Sequence, residues 1–419
     1  MTDADDGAGY NRPMRPSELA SVFSFSPPHL RGPERRLAGA VTIADLRAGA
    51  RRALPRVVFD FVDSGSEDEV AMRRNLRAFE RTEMVPRVLQ DVSQIETKTS
   101  ILGFPSALPL MLAPTGFTRL IHPGGEPAVA RAAAAAGIPY AASTMSNVSL
   151  EEIAACPPGP RAFQLYMWRD RGVCAELVER AREAGFGAMV LTVDSQVSGL
   201  RERDLRNGLT IPPTIRPRTA VEGLARPGWA LGFARGEQLT FANVTFATGG
   251  SSVMEYVGRE LDTSLSWEAV DWLRARWDGP LAIKGVLSAG DAELARRHGA
   301  DAVIVSNHGG RQLNSAPATL DVLPSVVEAA GTEVEVLLDS GVRRGADIAK
   351  AIALGARGCL IGRPYLYGLA AAGQPGVERA IEIFTEELRR TMALLGAPRI
   401  ADLSGVAIDP AQPGSVTTR

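Results

Sequence analysis

The chain has 419 residues, 45% of them hydrophobic and 22% charged, with a formal net charge of -2. This composition supplies a large buried core and excludes both a strongly basic nucleic-acid-binding surface and a wholly disordered chain. No apolar run reaches the roughly eighteen residues of a membrane span, and no apolar signal core stands near residue 1.

In chain order, residues 1–40 are rich in Pro, Arg and Ser and carry Asp3, Asp5 and Asp6. They predict an extended arm, partly disordered at its tip. Thr42 is the expected N-cap of a helical cap over 43–70, in which Phe59 and Phe61 face inward ahead of a turn at Ser64-Gly65. From 108 onward, short apolar strands are expected at 108–114, 139–144, 162–167, 188–194, 281–286, 302–306, 334–339 and 358–362. Helices follow them, among them 126–136, 171–184, 267–277, 289–298 and 344–354. Eight strand and helix units predict an α/β TIM (β/α)8 barrel over 41–405, with its active site at the C-terminal ends of the strands and a short tail at 406–419. A doubly wound sheet is the competing fold, but no G-x-G-x-x-G follows the first strand. The connection from 195 to 265 is far longer than a barrel loop and contains Pro212-Pro213, Pro217 and Gly249-Gly250. It reads as a lid after strand four. Cys156, Cys174 and Cys359 are scattered without metal-ligand spacing, so reduced core thiols, a cytoplasmic compartment and no metal site are expected.

The stretch Ser306-Asn307-His308-Gly309-Gly310-Arg311-Gln312 puts a histidine and an arginine three residues apart where the sixth strand ends. Such a pair is also found in ordinary helix starts and surface loops. Its chemistry suits the oxidation of a 2-hydroxy acid: an imidazole titrates near working pH and can take a proton. A guanidinium can hold a carboxylate by two hydrogen bonds. Lys284, ending strand five, points to one of two roles, a cation beside an electron-accepting ring or a Schiff-base amine. After strands seven and eight, the runs Asp339-Ser340-Gly341-Val342-Arg343 and Gly362-Arg363 combine Gly-rich turns with arginine, a pattern suited to a phosphate.

The Ser-Asn-His-Gly-Gly-Arg-Gln run resembles the signature of the FMN-dependent 2-hydroxy-acid oxidase and dehydrogenase family, and the resemblance extends from about Ile43 to Leu403. It implies FMN as cofactor and a 2-hydroxy acid as substrate, with Lys284 beside the reduced flavin and His308 and Ser306 in the motif at its side. By the same resemblance, Pro114, Thr115, Gly116, Ser143, Gln164 and Thr192 surround the flavin ring, and Asp339, Gly341, Arg343, Gly362 and Arg363 hold its phosphate end. Asp194 matches the aspartate beside the catalytic histidine, Tyr166 a tyrosine that touches the substrate, and Arg201 a second arginine that would clamp the carboxylate with Arg311. A homotetramer is implied, as is an electron acceptor that is oxygen, a quinone or a separate cytochrome.

Two departures bear on the substrate. Phe61 stands where many members carry a tyrosine, and Met145 where glycolate oxidase carries a tryptophan. Ser340 replaces a glycine and Asn314 an aspartate, changes to which the sequence alone gives no consequence. The runs Ala113-Pro114-Thr115-Gly116 and Phe163-Gln164-Leu165-Tyr166 are most similar to the bacterial L-lactate dehydrogenase branch, so oxidation of an L-lactate-like acid is expected. The alternative is a specialised oxidase of a bulkier 2-hydroxy acid or related α-substituted acid in a biosynthetic pathway. The expected location is cytoplasmic, with peripheral contact at the inner face of the membrane as a variant.

Overall fold

The computed structural model describes residues 37–208, 217–235, 239, 241–244 and 259–410. The predicted arm at 1–40 therefore lies almost wholly outside the described residues, as do much of the connection and the end of the tail.

Eight parallel strands close into a barrel: β1 (Leu110–Leu112), β2 (Tyr140–Ser143), β3 (Arg161–Tyr166), β4 (Ala188–Thr192), β5 (Leu281–Val286), β6 (Ala302–Val305), β7 (Glu335–Leu338) and β8 (Gly358–Ile361). β8 pairs with β1 through Cys359 opposite Leu110, which seals the sheet edge. Every strand is a short apolar run, and alternate side chains point to the two sides of the sheet. The inward set is dominated by small residues, Ala141, Ala162, Ala188, Ala282 and Ala302, interleaved with Met111, Val190, Ile304, Leu337 and Leu360. The N-terminal end is plugged by a hairpin, Thr99–Ile101 with Phe104–Ser106, whose Ile101 and Leu102 complete the interior. Glu335 accepts the Leu102 N–H at 3.1 Å and ties this plug to β7.

The helical cap divides. Thr42 caps α1 (Ile43–Ala53) through a capping box with Asp45. Pro55 then breaks the helix and starts α2 (Arg56–Asp63), and α3 (Val70–Arg81) follows the turn. The helical cap expected over 43–70 is thus built of two helices ahead of the turn, because a proline cannot donate to the preceding turn. α2 is the part that reaches the barrel mouth. Phe59 and Phe61 are buried as expected, and Asp60 and Asp63 are buried with them. These aspartates join Arg203 and Asn207, just beyond the start of the long connection, at 2.8–3.2 Å. Arg47 reinforces Asp63 at 2.6 Å, so α1, α2 and the connection are fastened by one ion-pair network.

Of the cysteines, Cys174 and Cys359 are buried and Cys156 is half-buried, all three as free thiols. No helix among the described residues is long and apolar enough to cross a membrane. Residues 408–410 pair antiparallel with Thr82–Met84, which fastens the chain after the last α-helix, Gln374–Leu395, and a 3-10 turn at Ile400–Gly405.

Candidate active site

One cavity opens at the C-terminal end of the barrel, and Phe61, Met145, Tyr166, Arg201, Lys284, His308 and Arg311 all border it. So do Pro114, Thr115, Gly116, Ser143, Asp339, Gly341, Arg343, Gly362 and Arg363. Asp194, Ser306 and Gln164 hydrogen-bond to the lining residues His308, Lys284 and Ser143, and Thr192 is paired in register between Tyr166 and Lys284. Residues spread over some three hundred positions of sequence therefore meet because most of them end a strand or stand in the turn after one, while Phe61 is brought in by α2 and Arg201 by the long connection.

The imidazole is the most constrained of them. Asp194 Oδ1 lies 2.9 Å from His308 Nδ1, leaving Nε2 as the ring nitrogen that faces away from the carboxylate. His308 itself has φ 57, in the left-handed region. Its N–H donates to Ser306 Oγ at 3.0 Å, and the hydroxyl of Ser340 receives the next N–H, of Gly309, at 2.8 Å. The turn is buttressed from α3, where Asn75 and Asn307 exchange two amide hydrogen bonds of 2.8 Å. Burial pushes the Asp194 carboxyl up, but the charges of His308 and Lys284, with hydrogen bonds from His308 and Ser195, outweigh it and hold the group at about 2. Asp194 is thus a permanent anion against the ring, suited to orient the imidazole and stabilise its protonated form.

Lys284 is buried between Asp339 Oδ2 at 3.0 Å and Ser306 Oγ at 2.9 Å. Burial works to lower its pKa, yet Asp339 and Asp194 more than compensate and raise it, so the amine remains an ammonium. That state does not suit the free amine a Schiff base needs. A register shift follows Lys284, with Gly285 at φ 115. A Cβ at Gly285 would stand 2.7 Å from Asp194 Cβ, so glycine there lets the carboxylate reach the histidine.

Arg311 donates to the carbonyls of Phe61 at 2.8 Å and Ser64 at 3.1 Å, and its guanidinium lies 5.4 Å over the Phe61 ring. Burial first, then the like charges of Arg201 and Arg363, lower it to about 9. A buried cation crowded by cations is relieved by an anion, which is what a carboxylate entering the cavity provides. Arg201 is itself held by Asp204 at 2.7 Å. Gly199, two residues before it, packs so tightly on the motif loop that a Cβ would lie 2.3 Å from the Arg311 carbonyl oxygen. Arg363 gives three hydrogen bonds to the carbonyls of Val62, Gly309 and Ser64, at 2.8–3.1 Å, and Arg343 gives one to Val342.

Several functional contacts were not visible in the sequence. Ser195 Oγ donates to Asp194 Oδ1 at 3.0 Å and lies 3.3 Å from His308 Nδ1, a link carried by an unremarkable serine. Ser340, whose replacement of glycine had no assigned consequence, adopts φ 73 and donates to Asp339 Oδ1 at 2.6 Å. It thereby connects the Lys284 ion pair to the His308 turn. Asn314 accepts the Val70 N–H at 2.8 Å and donates its amide to Asp68, a donation that an aspartate could not make. Phe117, Phe241 and Leu261 also border the cavity.

Comparison with known proteins agrees with this geometry. The FMN-dependent dehydrogenase family profile matches residues 50–410. The chain is 42% identical over 357 residues to L-lactate dehydrogenase of Caulobacter sp. (strain K31), spanning 84% of this chain and 94% of that protein. It is 43% identical over 362 residues to glycolate oxidase of Spinacia oleracea, spanning 86% and 94%. The crystal structure of the monotopic membrane protein (S)-mandelate dehydrogenase superposes with a TM-score of 0.84 at 39% identity, covering 88% of this chain and 99% of that one. The chain belongs to the FMN-dependent dehydrogenase family and is an FMN-dependent oxidoreductase of 2-hydroxy acids.

Proposed function

We propose that the protein oxidises an L-2-hydroxy acid to the 2-keto acid with His308 as general base and Arg311 and Arg201 as the carboxylate clamp. One observation carries this reading: His308, fixed by Asp194 at 2.9 Å, shares a single cavity with two arginines and a charged Lys284. Arg311 and Arg201 would fix the acid end of the substrate and so place its α-carbon beside Nε2. His308 takes the proton from the hydroxyl or the α-carbon, and Asp194 stabilises the imidazolium that results. Tyr166 borders the same space and would hydrogen-bond the substrate oxygen.

The residues present fit FMN. Gln164 Nε2 and Thr192 Oγ1 are buried without any protein partner, two polar atoms suited to the hydrogen-bonding edge of a flavin ring. Ser143 Oγ, which holds Gln164 Oε1 at 3.1 Å, would complete that edge, and Pro114, Thr115 and Gly116 would give backbone the room to approach. Lys284, with Ser306 orienting it, places positive charge where the ring gains electrons. Gly341, Arg343, Gly362 and Arg363 would bind the phosphate, with Asp339 holding Lys284 in place. When bound, FMN accepts two electrons from the substrate.

L-Lactate is the substrate that the sequence favours. The acceptor that completes the cycle is oxygen, a quinone or a separate cytochrome, and readmitting air to reduced protein separates the first from the others. The same reading carries a homotetramer, testable by light scattering of the full chain. It also carries a cytoplasmic location with peripheral attachment to the membrane, supported by exposed Val197, Leu200, Leu205, Val221 and Leu224 along the connection and by the monotopic neighbour. Recovery in the pellet of fractionated cells, released by detergent, checks that location. The catalytic assignment is tested by His308→Ala, which should keep its flavin yet lose bleaching by substrate. Bleaching at the wild-type rate would remove His308 from the base role.

A further inference from the structure

Proton abstraction and carboxylate binding fall to the polar side of the mouth, yet the β1 to β2 side is tied together by a residue with no part in either. Residues 241–244 of the long connection lie on the loop that leaves β2, and the side-chain amide of Asn243 spans that loop. Its Oδ1 accepts the Leu150 N–H at 2.9 Å, and its Nδ2 donates to the Val148 carbonyl at 3.2 Å. Ala242 adds a third link, from its N–H to the Ser146 carbonyl at 3.2 Å. Leu150 opens the helix Leu150–Ala154, so its N–H has no partner inside that helix and depends on Asn243. Asn243, Val148 and Leu150 are all buried, which leaves neither main-chain group any water to turn to. The Asn243 carbonyl in turn accepts from Arg180 at 3.0 Å, and Arg180 is braced by the two oxygens of Glu151 at 2.9 and 3.1 Å.

Each of the two segments joined here carries a cavity residue next to the joint. Met145 precedes Ser146, Phe241 precedes Ala242, and both border the cavity. Met145 is fixed in its main chain as well: its N–H donates to Ser143 Oγ at 3.1 Å, and its carbonyl accepts the Phe117 N–H at 3.3 Å. From the barrel side the same loop is held by the buried Glu126, which accepts the Asn147 N–H at 3.0 Å. The loop is thus gripped by Glu126 on one side and by Asn243 on the other. An alanine at 243 would keep the chain but leave two buried main-chain groups unmet, and the loop and the connection would no longer be held in one register.

We propose that Asn243 is a positioning residue for substrate recognition, fixing Met145 and Phe241 as one side of the cavity against which the clamped acid is placed. It acts through those two residues and not on the reacting atoms. The proposal rests on the reading of this cavity as the 2-hydroxy acid site.

For the test, full-length, flavin-loaded protein is mixed without oxygen with L-lactate, L-2-hydroxyisocaproate or L-mandelate, and flavin bleaching by the fastest acid is followed over a range of concentrations. Asn243→Ala should raise the concentration for half-maximal bleaching rate about tenfold, the scale on which one or two net hydrogen bonds shift an equilibrium, while the limiting rate changes by less than about threefold. Affinity of the oxidised protein for the matching 2-keto acid, measured by calorimetry, should fall by a similar factor. Arg180→Gln leaves the Asn243 amide in place and removes the brace on its carbonyl, so it should shift both quantities the same way by a smaller factor. Unaltered half-maximal concentration and keto-acid affinity in folded Asn243→Ala, or in Arg180→Gln where the first variant does not fold, would make Asn243 a purely structural residue and overturn the proposal, whatever the melting temperature does. A loss confined to the limiting rate also overturns it, because the effect would then lie on the reacting groups. If none of the three acids bleaches the wild-type flavin, the 2-hydroxy acid reading fails and the proposal with it.

Discussion

At the β4 to β6 side of the mouth, Asp194, Lys284, Ser306 and His308 fix one another through hydrogen bonds of 2.9–3.0 Å, whereas Phe61, Phe117 and Phe241 meet edge to face with ring centroids 4.8–5.9 Å apart. The first region is electrostatic and unforgiving: each group has a named partner, and removing one leaves a buried charge or donor unmet. The second is defined by shape and area, so it tolerates substitution at the cost of selectivity. One scaffold can thus hold a reaction constant while the accepted side chain changes.

The comparison breaks most visibly at His308. His308→Ala should lower the rate of flavin reduction by about a thousandfold or more, the usual scale of a general base, with flavin retained. Rapid-mixing spectroscopy measures it, and a loss below tenfold would put the proton elsewhere. Arg311→Lys comes next. A single ammonium cannot reproduce the two-pronged contact, so KM should rise on the order of 30-fold with a smaller change in kcat. A change in kcat alone would mean that Arg311 acts on the reacting atoms and not on the carboxylate.

Acid should attack the polar side through Asp194. Its carboxyl is held at about 2 in the folded protein, below the ordinary value of 3.8. A lowered carboxyl contributes stability that is complete above the ordinary value and is lost as pH falls through the folded one. Stability should therefore drop between about pH 4 and pH 2, and Asp194→Asn should flatten that slope by about 2 kcal/mol. Urea unfolding at several acid pH values reads it, and an unaltered slope would show that Asp194 is not held low. The smallest effect belongs to the aromatic side. Phe61→Tyr should raise turnover of L-lactate a few-fold by adding a donor near the carboxylate, within the roughly 1 kcal/mol of one hydrogen bond. Unchanged or poorer lactate kinetics would mean that Phe61 serves a different substrate.

The two regions also differ in how legible they were. All eight strands were readable, because an apolar run bounded by Gly, Pro or Asp leaves few other foldings, and their ends fell within two residues of those observed. The candidate site followed in its placement, since His308, Lys284 and Asp194 sit at or just beyond strand ends where a barrel collects them. Partners that depend on register were hidden. Nothing in the sequence links Asn75 to Asn307, or makes Ser195 different from any other serine. The aromatic cluster was only half visible: Phe61 and Met145 stood out as departures from a pattern, but Phe241 lies in a Pro- and Gly-rich connection with no periodicity to place it. The division of the cap at Pro55 could have been read, because proline ends a helix at the residue before it.

The most direct test of the central claim is the visible spectrum of the purified protein as L- and D-2-hydroxy acids are added in turn without oxygen. A site with His308, Arg201 and Arg311 fixed around one cavity should let at least one L-acid bleach the flavin band within a turnover and leave its D-enantiomer inert. A yellow protein that no L-acid bleaches, or that both enantiomers bleach equally, would contradict the account.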